Sequence, residues 1–282
     1  MCHTFSSTII SITTISSTAA PFFFRFPPAT MPDLSKELVL VTGSSRGLGL
    51  AIARAFHKEG AQVIINYLNS KELAEAAAKE LDAHAIQADV TSFNDVQWLN
   101  MTAQSLYGRP ISVVVNNALA DFKFNGDARP ELRDITWESF DKQMKGSLQG
   151  ALYTTQAVLP GFTRLGYGRI INIGSNLVQN PVVPYHDYTA AKGALLAFTR
   201  TTAAELGSKN ITCNMVSGGL LKTTDASAAT PEEVFEMVRS VTPLRRVTTP
   251  EDLAGAVLFF ASEWARAVTG QCVCVDGGLV MS

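Results

Sequence analysis

The sequence predicts the α/β class, with a doubly wound parallel sheet of seven strands covered by helices on both faces. Three observations carry this prediction. From Leu38 onward, short apolar runs rich in β-branched residues alternate with longer helix-forming stretches. The first run leads through a glycine-rich turn into a helix. The chain has 282 residues, 46% apolar and 17% charged, which suits one large domain with a substantial core. That domain is assigned to residues 33–282.

The elements follow in order. Leu38-Val39-Leu40-Val41 is the first strand, and Leu50 to Phe56 the first helix. Gln62 to Asn66 is the second strand, and the alanine-rich stretch Ser70 to Leu81 the second helix. Ala85 to Val90 reads as a third strand ending near Asp89, with Ser92 placed to cap the helix through Val96, Leu99 and Leu106. Ile111 to Ala118 is the fourth strand. Residues 119 to 136 form a long polar loop in which Phe122 and Phe124 are candidates to line an apolar pocket. Trp137 to Phe162 reads as one long helix. Arg169 to Gly174 is the fifth strand, and a helix then runs to about Leu206. Ile211 to Val216 is the sixth strand. Asp225 to Thr242 is less periodic and reads as a segment covering the substrate. Pro250 opens the last helix at its first turn, and Cys272 to Val275 is the seventh strand.

Two stretches carry chemistry. The turn Thr42-Gly43-Ser44-Ser45-Arg46-Gly47-Leu48-Gly49 joins a strand to a helix, the layout that presents backbone N–H groups to a pyrophosphate. Gly43, Ser45, Arg46, Gly47, Leu48 and Gly49 are therefore candidate cofactor contacts. At the end of the second strand an acidic residue would bind the ribose hydroxyls of NAD. Here the positions read Asn66-Tyr67-Leu68-Asn69-Ser70, with no carboxylate, while Arg46 offers charge to a 2′-phosphate. The expectation is NADP(H) over NAD(H), with Asn66 at the ribose. Asp89 and Val90 are placed at the adenine, and Asn117 at the end of the fourth strand. Leu221 and Thr223 lie on backbone that would run along the nicotinamide.

The second stretch runs from Ser175 to Lys192. Tyr188 and Lys192 are four apart on a helix and share a face. A cation near a phenol lowers its pKa, so the pair can exchange a proton with a carbonyl or alcohol oxygen near neutral pH. Ser175 stands at the carboxyl end of a strand, where open α/β sheets build their sites. A Tyr and a Lys four apart are common on helices. Tyr185 serves as a control, because its partner four residues on is Thr189.

Several classes are excluded. A net charge of -2 gives no case for nucleic acid or an anionic membrane surface, and no run of 18 apolar residues exists. The four cysteines, Cys2, Cys213, Cys272 and Cys274, show no metal-ligand spacing or disulfide framework, and no metal is expected. Cys272 and Cys274 read as buried structural thiols. Residues 1–32 contain no Asp or Glu and a single Arg, and are read as a disordered extension with Met31 as the effective start. The expected location is cytoplasmic, or mitochondrial if residues 1–32 act as a transit peptide.

Together, Thr42-Gly43-x3-Gly47-x-Gly49, Asp89, Asn116-Asn117-Ala118, Ser175, Tyr188-x3-Lys192 and Val275-Asp276-Gly277-Gly278 resemble the short-chain dehydrogenase/reductase family in its standard short form, over about residues 37–282. The glycine loop and Asn66-Tyr67 resemble its 3-oxoacyl-[acyl-carrier-protein] reductase branch. The resemblance implies a Rossmann-type domain and hydride transfer between a nicotinamide and a carbonyl or alcohol carbon. It implies Tyr188 as general acid in reduction and Ser175 as hydrogen-bond partner of the reacting oxygen. Lys192 would lower the Tyr188 pKa and hold the nicotinamide ribose. The implied partners are a small carbonyl or alcohol substrate, or an acyl thioester, and further copies of the chain in a homotetramer or homodimer. Three positions depart from the family pattern. The Asn of its proton relay is Ser147 here, Asn-Asn-Ala-Gly reads Asn116-Asn117-Ala118-Leu119, and Pro-Gly after the sixth strand reads Gly218-Gly219. The alternatives are a reductase of another small ketone or specialised metabolite, and a catalytically silent NADP-binding scaffold or sensor.

Overall fold

The computed structural model describes residues 33–119, 124, 128–222 and 224–281. Seven parallel strands stand in the order β3-β2-β1-β4-β5-β6-β7. They are β1 (Leu38–Val41), β2 (Gln62–Tyr67), β3 (His84–Gln87), β4 (Val113–Asn116), β5 (Gly168–Ser175), β6 (Ile211–Gly218) and β7 (Cys272–Val275). The order reverses between β1 and β4, the switch point at which such sheets bind ligands beyond their carboxyl ends.

Alternation along the strands feeds two cores. Val39 and Val41 of β1 pack with Ile52 and Phe56 of α1 (Gly47–Lys58) and with Leu253, Val257 and Phe260 of a later helix. Leu38 and Leu40 face the opposite layer, with Leu99, Val158, Phe162 and Leu206. Each face of the sheet is thus sealed by helices, as the near-continuous apolar strands require.

The remaining helices are α2 (Lys71–Glu80), α3 (Phe93–Tyr107), α4 (Trp137–Met144), α5 (Gly150–Leu165), α6 (His186–Leu206), α7 (Glu232–Val241) and α8 (Pro250–Ala261). The third strand is shorter than the sequence reading, because the chain leaves the sheet at Gln87 and Asp89 turns it toward α3. Ser92 caps α3 as expected, accepting from the Asp95 N–H. Thr249 and Asp252 form a reciprocal capping box at α8.

Two further differences matter for the site. The single helix expected over 137–162 is interrupted by one π-helical turn, Lys145–Gln149, between α4 and α5. Gly146, within this turn, and Gly150, just after it, lower the helix propensity there. Adding a Cβ at Gly150 would bring it to 2.9 Å from Val90, so the backbone there must pass close to the β3–α3 loop. The segment Asp225 to Thr242, read as aperiodic, contains a 3₁₀ turn and the ten-residue helix α7, which Pro231 opens. Phe235 anchors α7 in the core, while Met237 and Val241 stay exposed. Cys272 and Cys274, expected as buried thiols, are both partly exposed, whereas Cys213 is buried. Residues 1–32 and Phe122 lie outside the described residues.

Candidate active site

A cleft of about 1510 Å³ opens along the carboxyl ends of the strands. Its floor at one end is the β1–α1 turn. Gly43 and Gly47 adopt positive φ of 62° and 56°, which an L side chain strains to reach. At Gly49 a Cβ would sit 2.4 Å from the Gly43 carbonyl and 2.7 Å from the Asn117 amide, so the loop folds onto the helix too tightly for alanine. No side chain caps α1 and no acid sits in its first turn, leaving that end suited to an anion.

The loop is held by amides. The Gly43 N–H donates to Asn66 Oδ1 at 3.0 Å, and Asn66 Nδ2 donates to the Ile86 and Ala88 carbonyls. Asn117 Nδ2 donates to the Thr42 carbonyl at 2.9 Å, while Thr42 Oγ1 accepts from Asn117 and Ala118 N–H groups. Asn66 and Asn117, expected as cofactor contacts, line the cleft but spend these hydrogen bonds on the protein itself. Asp89 does so in part, its Oδ1 accepting from the Thr91 N–H and Oγ1. Arg46 is exposed at the rim, its Nη1 donating to Ser70 Oγ at 3.1 Å.

Farther along the same cleft stand Ser175, Tyr188 and Lys192. The buried stripe of α6 is Tyr188, Ala191, Lys192, Leu195, Thr199, Thr202, Ala203 and Leu206. Tyr188 and Lys192 therefore belong to the face that docks α6 on the sheet. Lys192 Nζ donates to the Ile173 carbonyl at 2.8 Å and lies 5.7 Å from the centre of the Tyr188 ring. The Ser175 side chain hydrogen-bonds the Tyr188 phenol. Tyr185, the control, packs edge-on against Phe124, which also meets the Tyr188 ring at 6.1 Å.

A model of the family described as enoyl-(acyl carrier protein) reductase matches residues 43–280. This chain belongs to the short-chain dehydrogenase/reductase family. It is 35% identical over 260 residues to a 3-oxoacyl-[acyl-carrier-protein] reductase of Synechocystis sp., covering 89% of this chain and 100% of the relative. It is 34% identical to versicolorin reductase of Emericella nidulans, covering 87% and 96%. Among solved structures, a blue fluorescent protein from a metagenomic library, crystallised in complex with NADPH, is 34% identical with a TM-score of 0.78. That match covers 88% of this chain and 100% of the other. Membership makes the chain an NAD(P)-dependent oxidoreductase of the Rossmann-type architecture.

Within this dehydrogenase/reductase frame one expectation is corrected. Lys192 was expected to lower the Tyr188 pKa. Instead burial pushes the phenol up to about 12, against a smaller downward pull from the Ser175 hydrogen bond. Burial also pushes Lys192 down to about 8. Both shifts have one cause: the charged form of each group loses its water. The ammonium turns to the Ile173 carbonyl rather than to the phenolic oxygen.

Every other residue placed at the site by sequence lies on the cleft, apart from two. Ser147 lies behind it, beside Lys192, on a small void of about 10 Å³ also lined by Thr42, Val90 and Asn116. Thr223 lies outside the described residues, whereas Leu221 lines the cleft. Sequence reasoning missed Val182, Val183, Val234, Met237 and Leu279, which add apolar side chains to the lining of the same cleft. The 3.6-residue spacing of Val234, Met237 and Val241 was the signal that could have found α7.

The Lys192 shift gives a stability prediction. Its folded pKa lies below the value in the unfolded chain, so between about 8 and 10.5 the unfolded chain binds more protons and stability rises with pH. Below about 8 the penalty is fully present, and a drop from 10.5 to about 8 corresponds to roughly 3 kcal/mol. Lys192→Met should therefore be more stable than the parent at pH 7, by up to roughly 3 kcal/mol, with the gap closing as pH rises toward 10. Denaturant unfolding across that range checks it; a variant less stable at neutral pH would show that the ammonium is stabilising where it sits.

Proposed function

We propose that the chain is an NADPH-dependent reductase that turns a carbonyl into a secondary alcohol, with Tyr188 as proton donor. The observation that carries this reading is the convergence of Ser175, Tyr188 and Lys192 on one cleft with an uncapped helix N-terminus. The cradle around Gly43, Gly47 and Gly49 fits a dinucleotide pyrophosphate, and Arg46 with Ser70 fits a 2′-phosphate. The NADPH complex of the similar blue fluorescent protein supports the same choice. The dinucleotide supplies the hydride.

The chain's own residues do the rest. A phenol with a pKa near 12 is protonated at neutral pH, as a donor to a developing alkoxide must be. Ser175 holds the phenol and is positioned to hydrogen-bond the same oxygen. Lys192, charged below about pH 8, places positive charge close to the ring. Ser147 is buried and its Oγ has no hydrogen-bond partner among the described residues. The adjoining void is about the size of one water, so Ser147 can carry a water toward Lys192 in place of the usual asparagine.

The substrate we favour is a 3-oxoacyl thioester, supported by the similarity to 3-oxoacyl-[acyl-carrier-protein] reductase and by the apolar side chains of Val182, Val183 and Met237. Reduction of a bulkier ketone is the second reading. It is favoured by the aromatic lining of Phe124 and Tyr185 and by the similarity to versicolorin reductase. NADPH oxidation with an acetoacetyl thioester against a panel of ketones separates the two; binding of NADPH with no turnover on any of them would refute the reductase reading.

Three variants test the assignment of roles. Tyr188→Phe should lower kcat/KM by about 10²- to 10⁴-fold while NADPH affinity measured by fluorescence stays within severalfold. Arg46→Ala should raise KM for NADPH far more than for NADH; equal effects would remove Arg46 from cofactor selection. Ser147→Ala removes an unpartnered hydroxyl, so thermal stability should hold or rise while turnover falls; unchanged turnover would take Ser147 out of the proton path.

A further inference from the structure

One flank of the reacting centre is closed by rings. Phe124, from the long loop between β4 and α4, stands edge-on to two tyrosines, 6.1 Å from the Tyr188 ring centre and 5.8 Å from that of Tyr185. At these separations the rings are in direct contact, and no further group fits between them. Leu119, Leu177 and Val183 complete the cluster, and all six side chains line the cleft. The Leu177 N–H donates to Ser175 Oγ at 3.3 Å, which ties the cluster to the serine.

Phe124 is also fixed through its backbone. Its N–H donates to the Ala226 carbonyl at 2.9 Å. Ala226 belongs to the 3₁₀ turn Asp225–Ser227 ahead of α7. In that turn Ser227 is buried, and its Oγ lies 2.8 Å from Thr224 Oγ1. Moving the Phe124 backbone away would break the bond to Ala226. Turning the ring alone would give up both aromatic contacts.

We propose that Phe124 is a specificity-determining residue that limits the size of one substituent on the reacting carbonyl, an inference that rests on the reductase reading of the cleft. A carbonyl whose oxygen takes the Tyr188 proton holds its carbon beside the phenol, with one substituent to each side. The substituent on the Phe124 side meets a ring already packed against two others, and overfilling a packed cluster is disfavoured. That side takes a methyl-sized group, and the larger group extends along the rest of the cleft. The substrate class is a ketone with one small arm and one large arm. A short-chain 3-oxoacyl thioester meets this condition. A bulkier ketone meets it only with its rings on the arm away from Phe124.

The test pairs ethyl acetoacetate with ethyl benzoylacetate, 3-oxo esters that differ in a methyl or a phenyl group on the reacting carbonyl. Each is reduced with NADPH by the parent chain and by Phe124→Ala. Comparing the phenyl-to-methyl ratio of kcat/KM between the two proteins cancels the intrinsic reactivity of the esters. Phe124→Ala should raise that ratio by about tenfold or more. Phe124→Leu should raise it by about threefold or more, and it decides the matter if the alanine variant no longer binds NADPH. A smaller rise in the variant that binds NADPH overturns the proposal. Where the parent turns over neither ester, the corresponding 3-hydroxy esters are titrated into the NADP⁺ complex. The affinity of the phenyl over the methyl compound should then rise in Phe124→Ala as the ratio does, and no rise overturns the role of Phe124. Failure of turnover on every carbonyl tested, with that rise in affinity present, counts against the reductase reading and leaves the size limit standing.

Discussion

The arrangement turns on a buried ammonium. Lys192 lies in the docking stripe of α6, nearly out of contact with solvent, with the Ile173 carbonyl as its hydrogen-bond acceptor. Burying a cation without a carboxylate costs stability, and here that cost sits beside a phenol buried for the same reason. The apolar residues of the same stripe, Ala191, Leu195 and Leu206 among them, offset it by sealing α6 to the sheet. Strain of this kind is what a site for charge redistribution requires: groups already stripped of water before a substrate arrives.

The glycine loop obeys the opposite logic. Nothing in it is charged and inward. Its shape comes from amides that satisfy one another, with Asn66 gripping Gly43 from β2 and Asn117 gripping Thr42 from β4. A second buried chain continues across the sheet. Thr154 donates to Asn116, Asn116 to Asn172, and Asn172 to Thr199 of α6. These bonds join α5, β4, β5 and α6 around the void beside Ser147, so the elements that carry the reactive groups are registered by directional contacts as well as by packing.

This division explains what could be read from the sequence. The seven strands announce themselves as apolar runs, and the glycine turn and Tyr188-x3-Lys192 are local patterns whose spacing alone places them. The sense of the Tyr188 shift was not local. Spacing shows that a cation stands near the phenol, but not that burial outweighs it or that the ammonium faces Ile173. The π turn at Lys145–Gln149 escaped because Gly146 and Gly150 mark a weak point in the helix without fixing the form of the break, and the close approach of Gly150 to Val90 comes from another element. Asn66 was correctly placed at the cleft, yet its side-chain hydrogen bonds run to the backbone of two segments, the glycine turn and the end of β3, that only the fold brings together.

The far side of the site shows the same dependence on distant partners. Asp276 is buried after β7 and accepts from Asn176 Nδ2, directly after Ser175, and from the N–H groups of Gly278 and Val280. One carboxylate thereby binds the C-terminal segment, whose Leu279 lines the cleft, to the turn that follows the serine. A Cβ at Gly219 would meet Asp276 at 3.0 Å and Asn176 at 3.1 Å. Glycine at that position, where the family pattern also ends in Gly, lets the two side chains close around the backbone without having to give way to a Cβ.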